Sequence, residues 1–282
     1  MARWRPRRTV KFPVRLGKGN SLRRSLRQQA RQERLSRAIE ERWMTLRRHC
    51  LEEPCCLRLG RLLQRLTCGD PGVQESALAE LELAAQLVRA GVRFTFLPES
   101  RARTADMECY LGRERFFVEV TAMVGSAARQ LIPMRGMVEM EEQQEEERRG
   151  AILIRRILAR VQQKAKQLAD YCDPVILQIS IPSPDSAGGP VGRGEETWLD
   201  VKALSGAVTV LLTKLPHLSA VLIVLWDVEP LPSKASTRLA NVHVVERAKH
   251  QHALPRVRML VRNPCAEMPL TERQAEMLRE IL

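Results

Sequence analysis

Residues 104–121 read TADMECYLGRERFFVEVT. Met107–Leu111 and Arg115–Met123 are rich in Val, Phe and Tyr, residues that favour strands. Gly112-Arg113-Glu114 between them supplies a turn, so the stretch predicts a β-hairpin. Asp106 stands at the entry to the first strand, and Glu119 lies inside the apolar run from Phe116 to Val120. A carboxylate in such a run is costly to bury unless it is ligated, paired or protonated. Thr121 shares the face of Glu119, because side chains alternate across a strand.

The flanking sequence places this hairpin in an α/β fold. Residues 73–90 carry a helical pattern that stops at Gly91, and Arg93–Leu97 is a short strand. Residues 151–171 predict a helix, with Ile154, Ile157, Leu158, Val161, Leu168 and Tyr171 near one side. Pro174–Ile181 and Ala220–Trp226 are buried strands, and 196–215 is an amphipathic helix between them. Val242–Val245 and Val257–Val261 are further strands, and 271–282 is a closing helix. The order α-β-β-β-α-β-α-β implies a mixed sheet with helices on both faces.

Charge divides the chain of 282 residues differently. Residues 1–67 hold 19 Lys+Arg and 5 Asp+Glu, and the rest hold 27 and 28. The first quarter is therefore a basic arm, 1–20, followed by Arg-covered helices. One helix carries the stripe Leu35, Ile39, Trp43 and Leu46; a second holds Leu57, Leu59, Leu62, Leu63 and Leu66. Cys68-Gly69-Asp70-Pro71-Gly72 breaks the pattern. The expected division is a basic extension over 1–67, a core over 68–230, and strands and a helix over 231–282 that complete it.

A basic arm beside a near-neutral body points to a polyanion, and Arg3, Arg5, Arg7, Arg8, Arg23, Arg24, Arg27 and Arg31 are the expected nucleic-acid contacts. A membrane span is not expected, because no apolar run is long enough. Seven cysteines at uneven spacing make no disulfide framework, which favours the cytoplasm. His49, Cys50, Cys55, Cys56 and Cys68 lack the paired spacing of a zinc site; Cys50 and Cys56 read as small core residues. His217, His243, His250 and His252 have no nucleophile motif beside them, and no phosphate-cradling glycine loop is present.

On the hairpin residues the chain resembles the PD-(D/E)xK nuclease superfamily, the restriction-endonuclease-like fold. Thr104-Ala105-Asp106 and Glu119-Val120-Thr121 match at a separation in the family's range, and the order of elements matches over roughly 73–230. The resemblance implies a Mg²⁺- or Mn²⁺-dependent nuclease acting on DNA rather than RNA. Asp106 and Glu119 would hold the metal, with the Val120 carbonyl as a further ligand. The family's lysine would stand at position 121, where this chain has Thr121. Several branches carry that lysine on the following helix. There Lys164, Gln167, Leu168 and Tyr171 share a face by helical spacing. Gln167 and Tyr171 also look like the Q-x-x-x-Y motif of RecB-type nucleases, whose glutamine and tyrosine lie beside the catalytic site. Lys164 is thus the expected displaced lysine, with Lys166 second, and Glu80 or Glu82 is the expected helix-borne carboxylate. A homodimer is compatible with this reading. The rivals are an inactive protein of the same fold that binds nucleic acid through its arm, and an interaction protein whose Arg-rich helix meets an acidic partner or the acidic run Glu139–Glu147.

Overall fold

The computed structural model describes residues 22–68, 70–98, 105–123, 142–182, 197–226, 228–231, 239–248 and 254–282. Arg3, Arg5, Arg7 and Arg8, Glu139 and Glu141, and His250 and His252 lie outside them. Arg23, Arg24, Arg27 and Arg31 fall on the first helix, but their side chains are outside the described ones. The chain divides into two units, Met1–Ala38 and Ile39–Leu282.

Fifteen elements are described: α1 Leu22–His49, α2 Glu53–Leu66, α3 Pro71–Arg89, β1 Arg93–Phe96, β2 Met107–Leu111, β3 Glu114–Ala122, α4 Glu142–Ala165, β4 Val175–Ile181, β5 Thr197–Leu199, α5 Val201–Leu212, β6 Ala220–Leu225, β7 Val228–Pro230, β8 Val242–Glu246, β9 Val257–Arg262 and α6 Glu272–Glu280. The protein is α/β. A seven-stranded sheet runs β1-β2-β3-β4-β6-β9-β8, and β5 and β7 form a small second sheet. β3, β4 and β6 are parallel neighbours, and the other pairings of the large sheet are antiparallel. The hairpin is therefore joined at β3 to a parallel centre whose strands, buried on both faces, read as unbroken apolar runs.

Two cores sit on the two faces. Phe116, Val118 and Val120 of β3 face a core shared with α2, α3 and α6, which includes Leu59, Leu62, Leu81, Leu87 and Leu278. Phe117 faces the other core, with Ile157 and Val161 of α4 and Leu204 and Val208 of α5. Glu119 and Thr121 follow Phe117 on that face by strand alternation. Gly112, at φ +66°, opens the two-residue hairpin loop and so fixes which residue faces which.

Several boundaries differ from the sequence reading. Leu46, Cys50, Cys55, Leu59 and Leu62 lie in the first core, so residues 39–67 belong to the body rather than to the basic extension. Their charge sits on one side of amphipathic helices, which a count of residues cannot separate from a free arm. On α2, Leu57 and Leu63 are exposed while Arg58 is buried. Cys50 and Cys55 are joined, with Cα atoms 5.3 Å apart; Cys55 takes the buried place expected of Cys56, which is exposed. Residues 197–200 are not helical: Trp198 is on β5, and Asp200 caps α5 by accepting from the Ala203 N–H. A Cβ at Gly150 would collide with the Trp198 carbonyl, so the glycine lets α4 lie directly on β5. Finally, α4 ends at Ala165 rather than at 171. After Ala165 the N–H groups of Gln167 and Leu168 donate to the Lys164 and Ala165 carbonyls, three residues back, so the helix tightens into turns before the chain enters β4.

Candidate active site

Met107 pairs with Val118, which puts Asp106 beside Glu119 on the neighbouring strand. The Asp106 N–H donates to the Val118 carbonyl at 3.0 Å, and the Val120 N–H donates to Asp106 Oδ2 at 2.8 Å. The Asp106 carboxyl stands close enough to Glu119 for its charge to raise the Glu119 pKa. Two acids of like charge thus meet at the head of the hairpin, and Glu119 is buried.

Cations approach from both sides of the sheet. Lys164 of α4 places Nζ 2.5 Å from Glu119 Oε1. One turn earlier on the same helix, Arg160 donates from Nε and Nη2 to Thr121 Oγ1, at 3.1 and 2.7 Å. From α2, Arg58 Nη2 lies 3.3 Å from Asp106 Oδ1 and 3.1 Å from Glu80 Oε2. Arg65, two turns further on, holds the other oxygen of Glu80 at 2.7 Å. Glu80 of α3 therefore joins the site through Arg58.

The carboxyls hold their protons more tightly than free ones. Burial raises Glu119 from 4.5 to about 7, and the charge of Asp106 adds to this against the pull of Lys164. Burial likewise raises Glu80 to about 7, with Asp106 adding and Arg65 and Arg58 opposing. Burial raises Asp106 too, against the Val120 N–H and the charges of Arg58 and Lys164. In each case desolvation is the largest cause, and at Glu119 and Glu80 the charge of Asp106 works with it.

Of the residues singled out in the sequence, Asp106, Glu119, Thr121, Lys164 and Glu80 come together here. Tyr171 flanks them: its hydroxyl accepts from the Ala105 N–H at 2.6 Å, and its ring lies 4.4 Å from that of Phe117. Among the described residues the Gln167 side chain makes no hydrogen bond to them. Its residue lies in the turn after α4, lining a shallow cleft with Gln162, Gln163 and Lys166. The helical spacing that aligned Gln167 with Lys164 and Tyr171 fails because the helix has ended. Glu82 is elsewhere, paired with Arg258 and Arg42. The sequence reading missed Arg58, Arg65 and Arg160. The first two are seven residues apart on α2, one face of a helix, which was the available signal.

Asp106 and Glu119 are hard oxygen donors, and the Val120 main chain lies against Asp106. Among the described residues no three His, Cys, Asp or Glu side chains group as a metal cage. Two carboxylates still suit a magnesium-sized ion, which keeps several waters and takes its other ligands from substrate phosphates. The charge of Asp106 works against ionisation of Glu119, and a cation between the two would relieve it. The donor set therefore fits such an ion. No family model, no curated protein and no solved structure matches the chain.

Proposed function

We propose that the protein is a metal-dependent nuclease of the PD-(D/E)xK type, hydrolysing phosphodiester bonds, with DNA as the favoured substrate. The observation that carries this reading is the trio Asp106, Glu119 and Lys164, with the lysine Nζ 2.5 Å from the Glu119 carboxylate. The meander β1-β2-β3 joined to parallel β4 agrees with a restriction-endonuclease-like core. Asp106 and Glu119 would hold Mg²⁺ or Mn²⁺, with the Val120 carbonyl as a third protein donor. When bound, such an ion offsets the charge of a phosphoryl oxygen and eases deprotonation of water. Lys164 holds a positive charge where the phosphate gains negative charge in the transition state. Arg58 and Tyr171 are positioning residues, which fix Asp106 through its carboxylate and through the preceding peptide.

The test is cleavage of labelled single- and double-stranded DNA and of RNA by the full chain in Mg²⁺ or Mn²⁺. Asp106→Ala and Glu119→Ala are expected to abolish cleavage, and Lys164→Ala to slow it about 10²–10³-fold, the usual loss for one charge-stabilising donor. Salt-sensitive binding with no cleavage by the parent on any of the three substrates would overturn the enzyme reading. It would leave a nucleic-acid-binding protein of the same fold.

A further inference from the structure

Sequence composition assigns the basic character to the N-terminal quarter, yet a second concentration lies in the body. From Arg148 to Ala169 the chain carries seven Arg or Lys residues and no acid. This segment includes the last part of α4, the helix that brings Lys164 to Glu119. Charge alone would make it a solvated helix. Its alignment with β3 distinguishes it.

Helix α4 leads into β4, which is parallel to β3, so α4 runs back along the sheet against the direction of β3. Lys164 meets Glu119, and Arg160 meets Thr121. A step of four helix residues is about 6 Å and a step of two strand residues about 6.6 Å, so the two rows stay matched over a short distance. The next members are Arg156 on α4 and Met123, which follows β3 and is partly buried against the second core. Lys164, Arg160 and Arg156 are therefore successive cations, one turn apart, in a row that starts at the carboxylate pair. All three are half-buried, so their positions are partly fixed. Among the described residues, Arg156 has no hydrogen bond or ion pair.

Arg160 has a further property. Its guanidinium sits on the hydroxyl of Thr121, the strand position at which the family resemblance expects a lysine. Thr121 has a neutral hydroxyl and carries no charge there, and Arg160 brings one from the neighbouring helix. Its Nη1 is held by Gln163 Oε1 at 2.9 Å, which orients the fork.

We propose that Lys164, Arg160 and Arg156 form a track for a nucleic-acid strand, contacting the phosphate next to Glu119 and the phosphates that follow it along α4. The proposal rests on the nuclease reading for the identity of the reacting position, but the binding of the strand does not. A row of regularly spaced cations fits a polymer of regularly spaced anions, and neither a mononucleotide nor a phosphomonoester would span it. Arginine suits this role because its planar fork pairs with phosphate in two places.

Binding is measured by fluorescence anisotropy with the full chain in EDTA, so that cleavage plays no part. The probes are labelled DNA oligonucleotides of increasing length, single- and double-stranded, over a range of salt. The slope of log K against log salt is expected to fall by about 1 for Arg156→Gln and by about 1 for Arg160→Gln, uniformly across sequences. Arg160→Lys is expected to keep the slope, since it keeps the charge; a merely structural role at Thr121 would show instead as equal loss in both Arg160 variants with a lowered melting temperature. Affinity is expected to rise from a dinucleotide to longer strands. Parental affinity and slope in Arg156→Gln and Arg160→Gln together would overturn the track. Equal binding of dinucleotide and long strand, or equal competition by polyglutamate of matched charge, would also overturn it. Loss of binding in both Gln variants of a protein that cleaves nothing would refute the nuclease reading and leave the track standing.

Discussion

Glu80 and Glu82 are two residues apart on α3, and both are buried against arginine, yet they belong to opposite kinds of ionic cluster. Among the described residues, Glu82 is the side-chain carboxylate that pairs with Arg258 at 3.0 Å and with Arg42 at 3.5 Å. Arg258 also donates to the Ile281 carbonyl at 2.6 Å, tying β9 to the residues after α6. Here the strain falls on the cations: burial lowers Arg258, with Arg247 and Arg42 adding repulsion, and burial lowers Arg247. Around Glu80 the strain falls on the acids, since Glu80, Asp106 and Glu119 are all raised. A cluster that strains its arginines has no use for another cation. A cluster that strains its carboxylates has a place for one. The same residue types, one helical face apart, thus separate a structural tie from a candidate site.

The largest effect should come from the tie. Arg258→Met takes from Glu82 its nearest arginine, leaving Arg42 at 3.5 Å, and removes the donor to Ile281. Breaking a buried pair from one side costs about 3–5 kcal/mol, and equilibrium urea unfolding is expected to give a loss in that range. Adding Glu82→Gln to the same chain should return part of it. Undiminished stability in Arg258→Met would dissolve the contrast, because the Glu82 cluster would then be no tie.

Next in size is the response to pH, which belongs to the acid-rich cluster. Glu119 and Glu80 titrate near 7 when folded against 4.5 as the ordinary value. Between those values the folded chain binds more protons than the unfolded one, so stability falls as pH rises from about 4.5 through about 7. The contribution is fully present below 4.5 and is lost above about 7. A tenfold difference in proton affinity between the folded and unfolded chain is worth about 1.4 kcal/mol, before the sharing of protons within the cluster is counted. Glu119→Gln should flatten this limb in urea midpoints measured from about pH 4 to 8, the span that brackets both titrations. An unchanged limb would locate the strain elsewhere.

The difference between the clusters also explains what the sequence could carry. The hairpin was legible because Gly112 sets its register and because Glu119 interrupts an apolar run in a way that demands a reason. Lys164 was legible from its place on the helix that follows. Arg58 and Arg65 were not. One-dimensional spacing shows that they share a face of α2, but not that α2 lands on Glu80 and Asp106. The place of Gln167 was misjudged for the converse reason. The residue kept helical spacing in the sequence, while the helix ends at Ala165 and the chain tightens into turns on its way to β4. The second sheet was missed because β5 and β7 have three residues each, too few for a pattern to register.

A divalent cation should act on one cluster alone. By mass action an ion that binds the folded state at one site stabilises it by about 2.7 kcal/mol at a hundredfold excess over Kd. In thermal melts with Mn²⁺ or Mg²⁺ the parent is expected to gain this stability, Glu119→Gln to lose the gain, and Glu82→Gln to keep it. Arg58→Met should lose less stability with Mn²⁺ present than without, since the ion replaces a cation beside Asp106. Arg258→Met should show no such recovery. Equal gains in Glu119→Gln and the parent would mean that the ion binds outside the hairpin head.

The smallest effect tests how firmly Asp106 is held. Arg258 ties its cluster to main-chain carbonyls, whereas the peptide entering Asp106 is held by the Tyr171 hydroxyl, which accepts from the Ala105 N–H. Tyr171→Phe keeps the ring against Phe117 and removes only that acceptor. Ala105 is buried, so its N–H loses its partner at a cost of about 1–2 kcal/mol. Because the peptide before Asp106 is freed while both carboxylates remain, the Mn²⁺ gain should shrink without vanishing, and any cleavage should slow while KM changes little. Gln167→Ala, by contrast, should alter neither, because its side chain lies on the cleft beside Gln163 and Lys166. If Gln167→Ala instead matched Tyr171→Phe in both readouts, the two residues would act as one motif. The turn after α4 would then have to bring Gln167 back to the site when substrate binds.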